Sequence, residues 1–453
     1  MTRDFSLMDF DRMHMWELYS ARIITEYMQT LDEGKDVQQY ESLARAISAL
    51  DATPIREELA DVFYRAMADA PLRAGFPYEE PSDLPSIRAA RPKDILSWQA
   101  PAKDDLLFRR LRGAWLGRVC GCLLGKPVEG WKSPDIDRLL RASDNFPLRR
   151  YMSLDDVKKA GMENHTFPEA CWIDLVNGFA PSDDDTNYTA TGAQIIERYG
   201  RSFTPNDVAE AWMRLLNRNC VCTAERVAFR NFIMGIRPPK SASYKNPYRE
   251  YIGAQIRGDY FGYINPGNPE LAAEMAWRDA SISHIKNGIY GEMFIAAMLA
   301  VAAVCSDVKT VILEGLKQIP EKSRLTAGVL KIVRWYEEGV SQADCFARIH
   351  EEWNENDDYH WCHTISNAMI VAAALLYGEM DYSRSVCMAV ETGFDTDCNG
   401  ATVGSVLGLM LTDEGIPACW TDPVHGRLCT SIVGMEYVSL DEMAEMTMKH
   451  CLA

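Results

Sequence analysis

Leu111-Arg112-Gly113-Ala114-Trp115-Leu116-Gly117-Arg118-Val119-Cys120-Gly121-Cys122-Leu123-Leu124-Gly125 is the stretch on which the fold turns. Its four glycines recur every fourth residue, which puts Gly113, Gly117, Gly121 and Gly125 on one face of a helix. Each costs about 1 kcal/mol relative to alanine in a helix interior, so the face implies close approach of another element. The gain is either helix packing alone or delivery of the loop that follows, Lys126-Pro127-Val128-Glu129-Gly130, to a reaction centre. Taken singly, Glu129 reads as a surface carboxylate.

Outward from this stretch the periodicity is helical. Apolar residues at three- and four-residue steps predict helices over Thr186–Tyr199, Pro205–Asn217, Asn287–Cys305, Val308–Gly315, Leu325–Glu338, Ile365–Tyr377 and Ala401–Leu411. No βαβ rhythm and no glycine-rich loop after a strand is present, which disfavours a nucleotide-binding sheet. The expected class is all-α, a compact orthogonal helical bundle. Toward the N-terminus, Asp11–Met28, Gln38–Leu50 and Ile55–Ala68 also read as helices. Pro71, Pro77, Pro81, Pro85, Pro92 and Pro101 then interrupt the pattern. The organisation expected is a helical module over 1–70, a proline-rich linker over 71–104 and a catalytic body over 105–453.

Lys and Arg number 47 against 65 Asp and Glu, a net charge of -18. That balance repels nucleic acid and anionic lipid. The most apolar run, Met293 to Cys305, is shorter than the roughly 18 residues of a membrane span. The 13 cysteines show no repeated CxxC spacing, which predicts free thiols in a reducing compartment and points to the cytoplasm. Cys120/Cys122, Cys220/Cys222 and the group His360, Cys362, His363 lack the spacing of a zinc site.

Two acidic runs stand out. Pro181-Ser182-Asp183-Asp184-Asp185-Thr186-Asn187 crowds three carboxylates ahead of a helix, where like charges repel unless a cation lies among them. Gly393-Phe394-Asp395-Thr396-Asp397-Cys398-Asn399-Gly400 does the same before Ala401, Gly404, Ser405 and Gly408, whose spacing suits tight helix packing. Both also have a purely structural reading, with Ser182 as an N-cap and the acids favoured by the helix dipole. Facing helices that pair such carboxylates can build a dinuclear site, and oxygen ligands select magnesium or manganese.

In this order, the three elements resemble the ADP-ribosylglycohydrolase family, from about Leu111 to Val438. The resemblance implies an all-α hydrolase that cleaves ADP-ribose, or a related ribosyl group, from an ADP-ribosylated protein or a ribosylated small molecule. It implies two Mg2+ ions, with Mn2+ as a substitute. Asp183-Asp184-Asp185-Thr186 matches the family's Thr/Ser-Asp-Asp-Thr motif, and Asp395, Thr396, Asp397 and Cys398 match its Asp-x-Asp-Thr motif. Asp183, Asp184, Asp185, Asp395, Asp397 and Cys398 are thus the implied metal ligands. Glu129 falls at the family's catalytic acidic position.

Asn265 and Gly267 resemble the family's substrate loop. Ser283, His284 and Gly288 resemble the segment opening its central helix, and His363 and Asn367 precede the second motif. All seven are implied substrate contacts. Asp183 and Cys398 depart from the pattern, each standing where a hydroxyl residue is usual, and Cys122 replaces an aspartate. The soft sulfur of Cys398 is a poor partner for a hard cation. Two other readings compete: a hydrolase of a small N- or O-ribosyl compound, and a non-catalytic ADP-ribose-binding module.

Overall fold

The computed structural model describes residues 9, 13–165 and 171–451. The glycine helix runs Asp105–Gly125, and its N-cap Asp104 accepts the Leu107 amide at 3.0 Å. Its glycine face lies against the helix Thr396–Leu411. Cβ atoms built on Gly113, Gly117 and Gly121 would stand 2.3, 2.1 and 2.0 Å from the carbonyl oxygens of Gly408, Gly404 and Gly400. On Gly125 it would be 2.3 Å from the Thr396 backbone. The contact is mutual, since Cβ atoms on Gly404 and Gly408 would each come 2.1 Å from Gly117 and Gly113 carbonyl oxygens. Backbone thus packs on backbone, and the descending register makes the helices antiparallel.

This pairing packs the glycine face and also fixes where the following loop lies. It brings the C-terminal end of the glycine helix to the N-terminal end of its partner, where Thr396 Oγ1 donates to the Gly125 carbonyl at 2.9 Å. Lys126 and Glu129 are thereby delivered to Asp395 and Asp397. The partner helix starts at Thr396, ahead of the expected Ala401, so the second acidic run is part of its first turn.

The fold is all-α, as expected. The helices Lys286–Ala302 and Thr364–Tyr377 are apolar on every side and buried nearly throughout, as a helix without a polar face must be. Among the described residues the strands are Arg427–Cys429 and Tyr437–Ser439, an antiparallel pair with Leu428 opposite Val438. This pair also bonds Ala180, whose amide donates to Arg427 and whose carbonyl accepts from Cys429, both at 2.9 Å. The chain is therefore fixed just before Asp183.

Helices Ile23–Asp32, Glu41–Ser48 and Pro54–Asp69 enclose a separate apolar cluster that includes Ile23, Val37, Ala60, Phe63 and Met67. The helix expected from Asp11 begins later; Asp11 itself lies outside the described residues. Glu57 holds the lead-in by accepting the Tyr19 and Ser20 amides at 3.0 and 3.1 Å. The proline-rich stretch carries a short helix, Leu84–Ala90, and is strapped to the body. Trp277 donates to the Ser82 carbonyl at 2.9 Å, Arg88 pairs with Glu274 at 2.6 Å, and Arg324 pairs with Glu80 at 2.9 Å. No helix among the described residues is long and apolar enough to cross a membrane.

Candidate active site

Asp183, not Ser182, caps the helix Asp184–Tyr199: its Oδ1 accepts the Asp185 amide at 2.9 Å. The Ser182 hydroxyl instead meets Ser431 at 2.7 Å. Asp184 and Asp185 fill the first turn, and on Thr396–Leu411 Asp397 lies in the first turn with Asp395 at the N-cap position. Two helix N-termini thus face one another, and their dipoles favour the anions gathered there.

The possible ligand atoms fall into three groups, each within 4.8 Å: Cys122, Asp183 and Asp185; Asp185, Asp397 and Cys398; Glu129, Asp395 and Asp397. Shared members Asp185 and Asp397 join the three into one cluster. Asp184, half-buried, borders it. Residues from three distant chain stretches converge here, which a capping role for either acidic run alone does not require.

Crowding and burial set the charges. Burial, then Asp183, pushes the Asp184 carboxyl well above the carboxylate range. Burial also raises Asp185, against the pull of Arg118, and raises Asp397 with help from Glu129. Asp395 is pushed up to about 6 by burial and then by Glu129. Asp183 goes the other way: burial would raise it, but the Lys126 ammonium holds it below the ordinary value. Burial and the neighbouring Asp185 keep the Cys398 thiol protonated, and burial with Asp183 does the same for Cys122.

Two cations that the motifs did not flag serve this cluster. Lys126 Nζ lies 2.7 Å from Glu129, 2.8 Å from Asp183 and 3.6 Å from Asp397. Burial works to lower its pKa, yet those carboxylates, Asp183 foremost, raise it and hold the charge. Arg118, fully buried, spans Asp185 Oδ1 at 3.1 Å and Asp259 at 3.0 Å. The signals were there. Arg118 is a lone charge in the otherwise apolar run Ala114–Leu124, and Lys126 stands three residues before Glu129, at ion-pair spacing.

Asp185 Oδ2 and Asp397 Oδ1 make no hydrogen bond, although both residues are buried. Orphaned carboxylate oxygens in such a place are costly without a cation, so the donor set fits a divalent ion of the magnesium class. Asp185 and Asp397, whose ligand atoms lie within 4.8 Å of each other, are the residues that would hold it. The Cys398 thiol is the ill-matched member.

Of the implied substrate contacts, Asn367 reaches this centre as a support. Its Oδ1 accepts the Asp395 amide at 3.2 Å and the Asn399 side chain at 2.8 Å. Cys362, also missed, donates to Asp395 Oδ2 at 3.5 Å. His363 is an N-cap: Nδ1 accepts the Ile365 amide at 3.1 Å, and its fully buried ring stacks on Trp353.

Ser283, His284 and Gly288 form a buried layer. Ser283 Oγ meets His284 Nδ1 at 2.8 Å and accepts from Arg257 at 3.1 Å. Arg257 also pairs with Glu225 and Asp279 at 2.7 and 2.5 Å. Burial and then Arg257 keep His284 neutral, well below its usual pKa. Gly288 admits the Arg249 carbonyl, which would lie 2.6 Å from a Cβ.

Asn265 and Gly267 lie elsewhere. Asn265 bonds Arg201, two residues beyond the C-terminal end of Asp184–Tyr199, about 24 Å from the acids at 1.5 Å per residue. Gly267 makes a turn at φ +75° with its amide on the Ala300 carbonyl at 2.7 Å.

The sequence profile of the ADP-ribosylglycohydrolase family matches residues 103–451. No curated protein matches the chain. Among solved structures, 43 chains match. One, described as an ADP-ribosylglycohydrolase-related protein complex, is 19% identical, covers 76% of this chain and 98% of its own, and has a TM-score of 0.48. The profile spans the glycine helix, both acidic runs and the elements between them, and by it the chain belongs to the ADP-ribosylglycohydrolase family and is a glycosyl hydrolase of that type.

Proposed function

We propose that this chain hydrolyses the bond between C1 of a ribose and a nitrogen or oxygen of its acceptor, with ADP-ribose as the group released and a magnesium-class ion as cofactor. The convergence of Glu129 with Asp183, Asp185, Asp395 and Asp397 carries the reading. Cleavage passes through an oxocarbenium-like state, which needs negative charge nearby and an activated water. When bound, a divalent ion supplies Lewis acidity toward ribose hydroxyls and a water of lowered pKa.

The rest falls to the protein. Glu129 is the exposed edge of the cluster, its side chain 33% accessible against 1 and 2% for Asp183 and Asp397. It is therefore the group that meets substrate and water, and its carboxylate acts as the acid or base. Asn367 fixes the backbone of Asp395. The cytoplasm is the proposed setting, since the 13 cysteines show no repeated CxxC spacing and so suit a reducing compartment.

Glu129→Gln should lower turnover by about 10²- to 10⁴-fold, the usual worth of a general acid or base, while metal binding persists. Full activity in that variant would remove Glu129 from the reaction. Trying ADP-ribosyl-arginine, ADP-ribosyl-serine and simple nucleosides separates an ADP-ribosyl acceptor from a small ribosyl compound. Binding of ADP-ribose without turnover on any of them would contradict the hydrolase.

A further inference from the structure

We propose that the Lys126 ammonium stands in for one of two divalent cations, so that this chain holds a single metal ion. The inference rests on the hydrolase reading of the same site and refines its cofactor.

The placement of Lys126 is not that of a surface lysine. Its side chain is 16% exposed, one residue past a helix whose glycine face locks it against Thr396 and Asp397. Nζ meets carboxylates from three separate stretches of chain: Glu129 at 2.7 Å, Asp183 at 2.8 Å and Asp397 at 3.6 Å. Carboxylates converging on one point from different elements are how a protein holds a cation, and here the cation is covalently its own. Asp183 stands where the motif has a neutral hydroxyl residue, and its added negative charge faces the Lys126 ammonium.

An ammonium at that point opposes a divalent ion beside it, because like charges a few ångströms apart repel strongly where water is scarce. What remains suits one ion. Asp185 gives Oδ1 to Arg118 and leaves Oδ2 without a partner; Asp397 turns Oδ2 toward Lys126 and leaves Oδ1 without one. Both residues are more than nine-tenths buried, and their ligand atoms lie within 4.8 Å of each other and of Cys398.

The test counts ions. Chelator-stripped protein is titrated with Mn2+, with stoichiometry from equilibrium dialysis and ion pairing from electron paramagnetic resonance. The wild type should bind one ion per chain with an isolated six-line spectrum. Lys126→Met should bind two, with an exchange-broadened spectrum, and Lys126→Arg should stay at one. Two ions in the wild type overturn the inference whatever the variants do, and so does a folded Lys126→Met that stays at one. Two ions with intact turnover remove only this inference. One ion with no turnover on any ribosyl substrate leaves the count standing and removes the hydrolase reading.

Discussion

Asn367 uses its whole amide at once. Its Nδ2 donates to the Trp361 and His363 carbonyls at 3.0 and 2.9 Å, while Oδ1 accepts from Asp395 and Asn399. It is fully buried, and it sets where Asp395 stands. Asn367→Ala should weaken Mn2+ affinity by about 10- to 100-fold, as loss of a supporting hydrogen bond around a metal does, with a smaller change in the melting temperature. Calorimetric titration reads this, and unchanged affinity would demote Asn367 to core packing.

At this scale the sequence exposed the acids and hid their counter-ions. A motif shows residue types, whereas Lys126 and Arg118 acquire meaning only from which carboxylates they touch. The same limit holds for Ser283, His284 and Asn265, whose residue types match the motif's pocket positions, while the first two are fully buried and the third bonds Arg201, beyond the far end of the helix that carries Asp184 and Asp185.

Elements carry two further expectations. Glycine spacing announced close helix packing without naming the partner, and the partner proved to be the helix bearing the second acidic run. Because Gly404 would place a Cβ 2.1 Å from the Gly117 carbonyl, Gly404→Ala forces two backbones apart. Overpacking of this kind costs about 1–3 kcal/mol or more, and here it also moves Asp397 away from Lys126. Chemical denaturation should show the loss, and a stability equal to wild type would contradict backbone contact.

The helix Thr364–Tyr377 has a cap that titrates. Burial holds His363 at about 3 in the folded chain, against roughly 6.5 for an exposed imidazole. The unfolded chain therefore takes up a proton first as the pH falls, and stability present above about 6.5 is lost progressively toward 3, by up to about 1.4 kcal/mol per pH unit. His363→Asn keeps an N-cap and removes that slope. Melting curves at pH 7, 6 and 5 for both proteins would decide it, and identical slopes would refute the assignment. Helix starts were the least legible feature in the sequence. Acids in a first turn read as lying ahead of a helix, so periodicity alone leaves Thr396 outside its helix and offers Ser182 as one possible cap.

Over the whole molecule, the N-terminal helices are docked by buried charge. Arg249 pairs with Glu26 and Glu33, each at 2.6 Å, and Lys286 reaches Glu33 at 3.0 Å. Arg249→Met strands Glu26 and weakens the hold on Glu33. An uncompensated buried charge costs about 3–5 kcal/mol, so limited proteolysis should release the first seventy residues faster than in wild type. Equal protection would mean that apolar packing alone holds them. The all-α class was plain from periodicity, while the strand pair beside Asp183 is too short to alternate visibly. The proposed hydrolysis requires that the converged acids work through a bound metal ion. Its most direct test is release of free ADP-ribose from ADP-ribosyl-arginine and ADP-ribosyl-serine peptides with magnesium, manganese or chelator, in wild type and Asp397→Asn. Metal-dependent release that disappears in the variant is the predicted result; release that persists in chelator, or survives in Asp397→Asn, would contradict it.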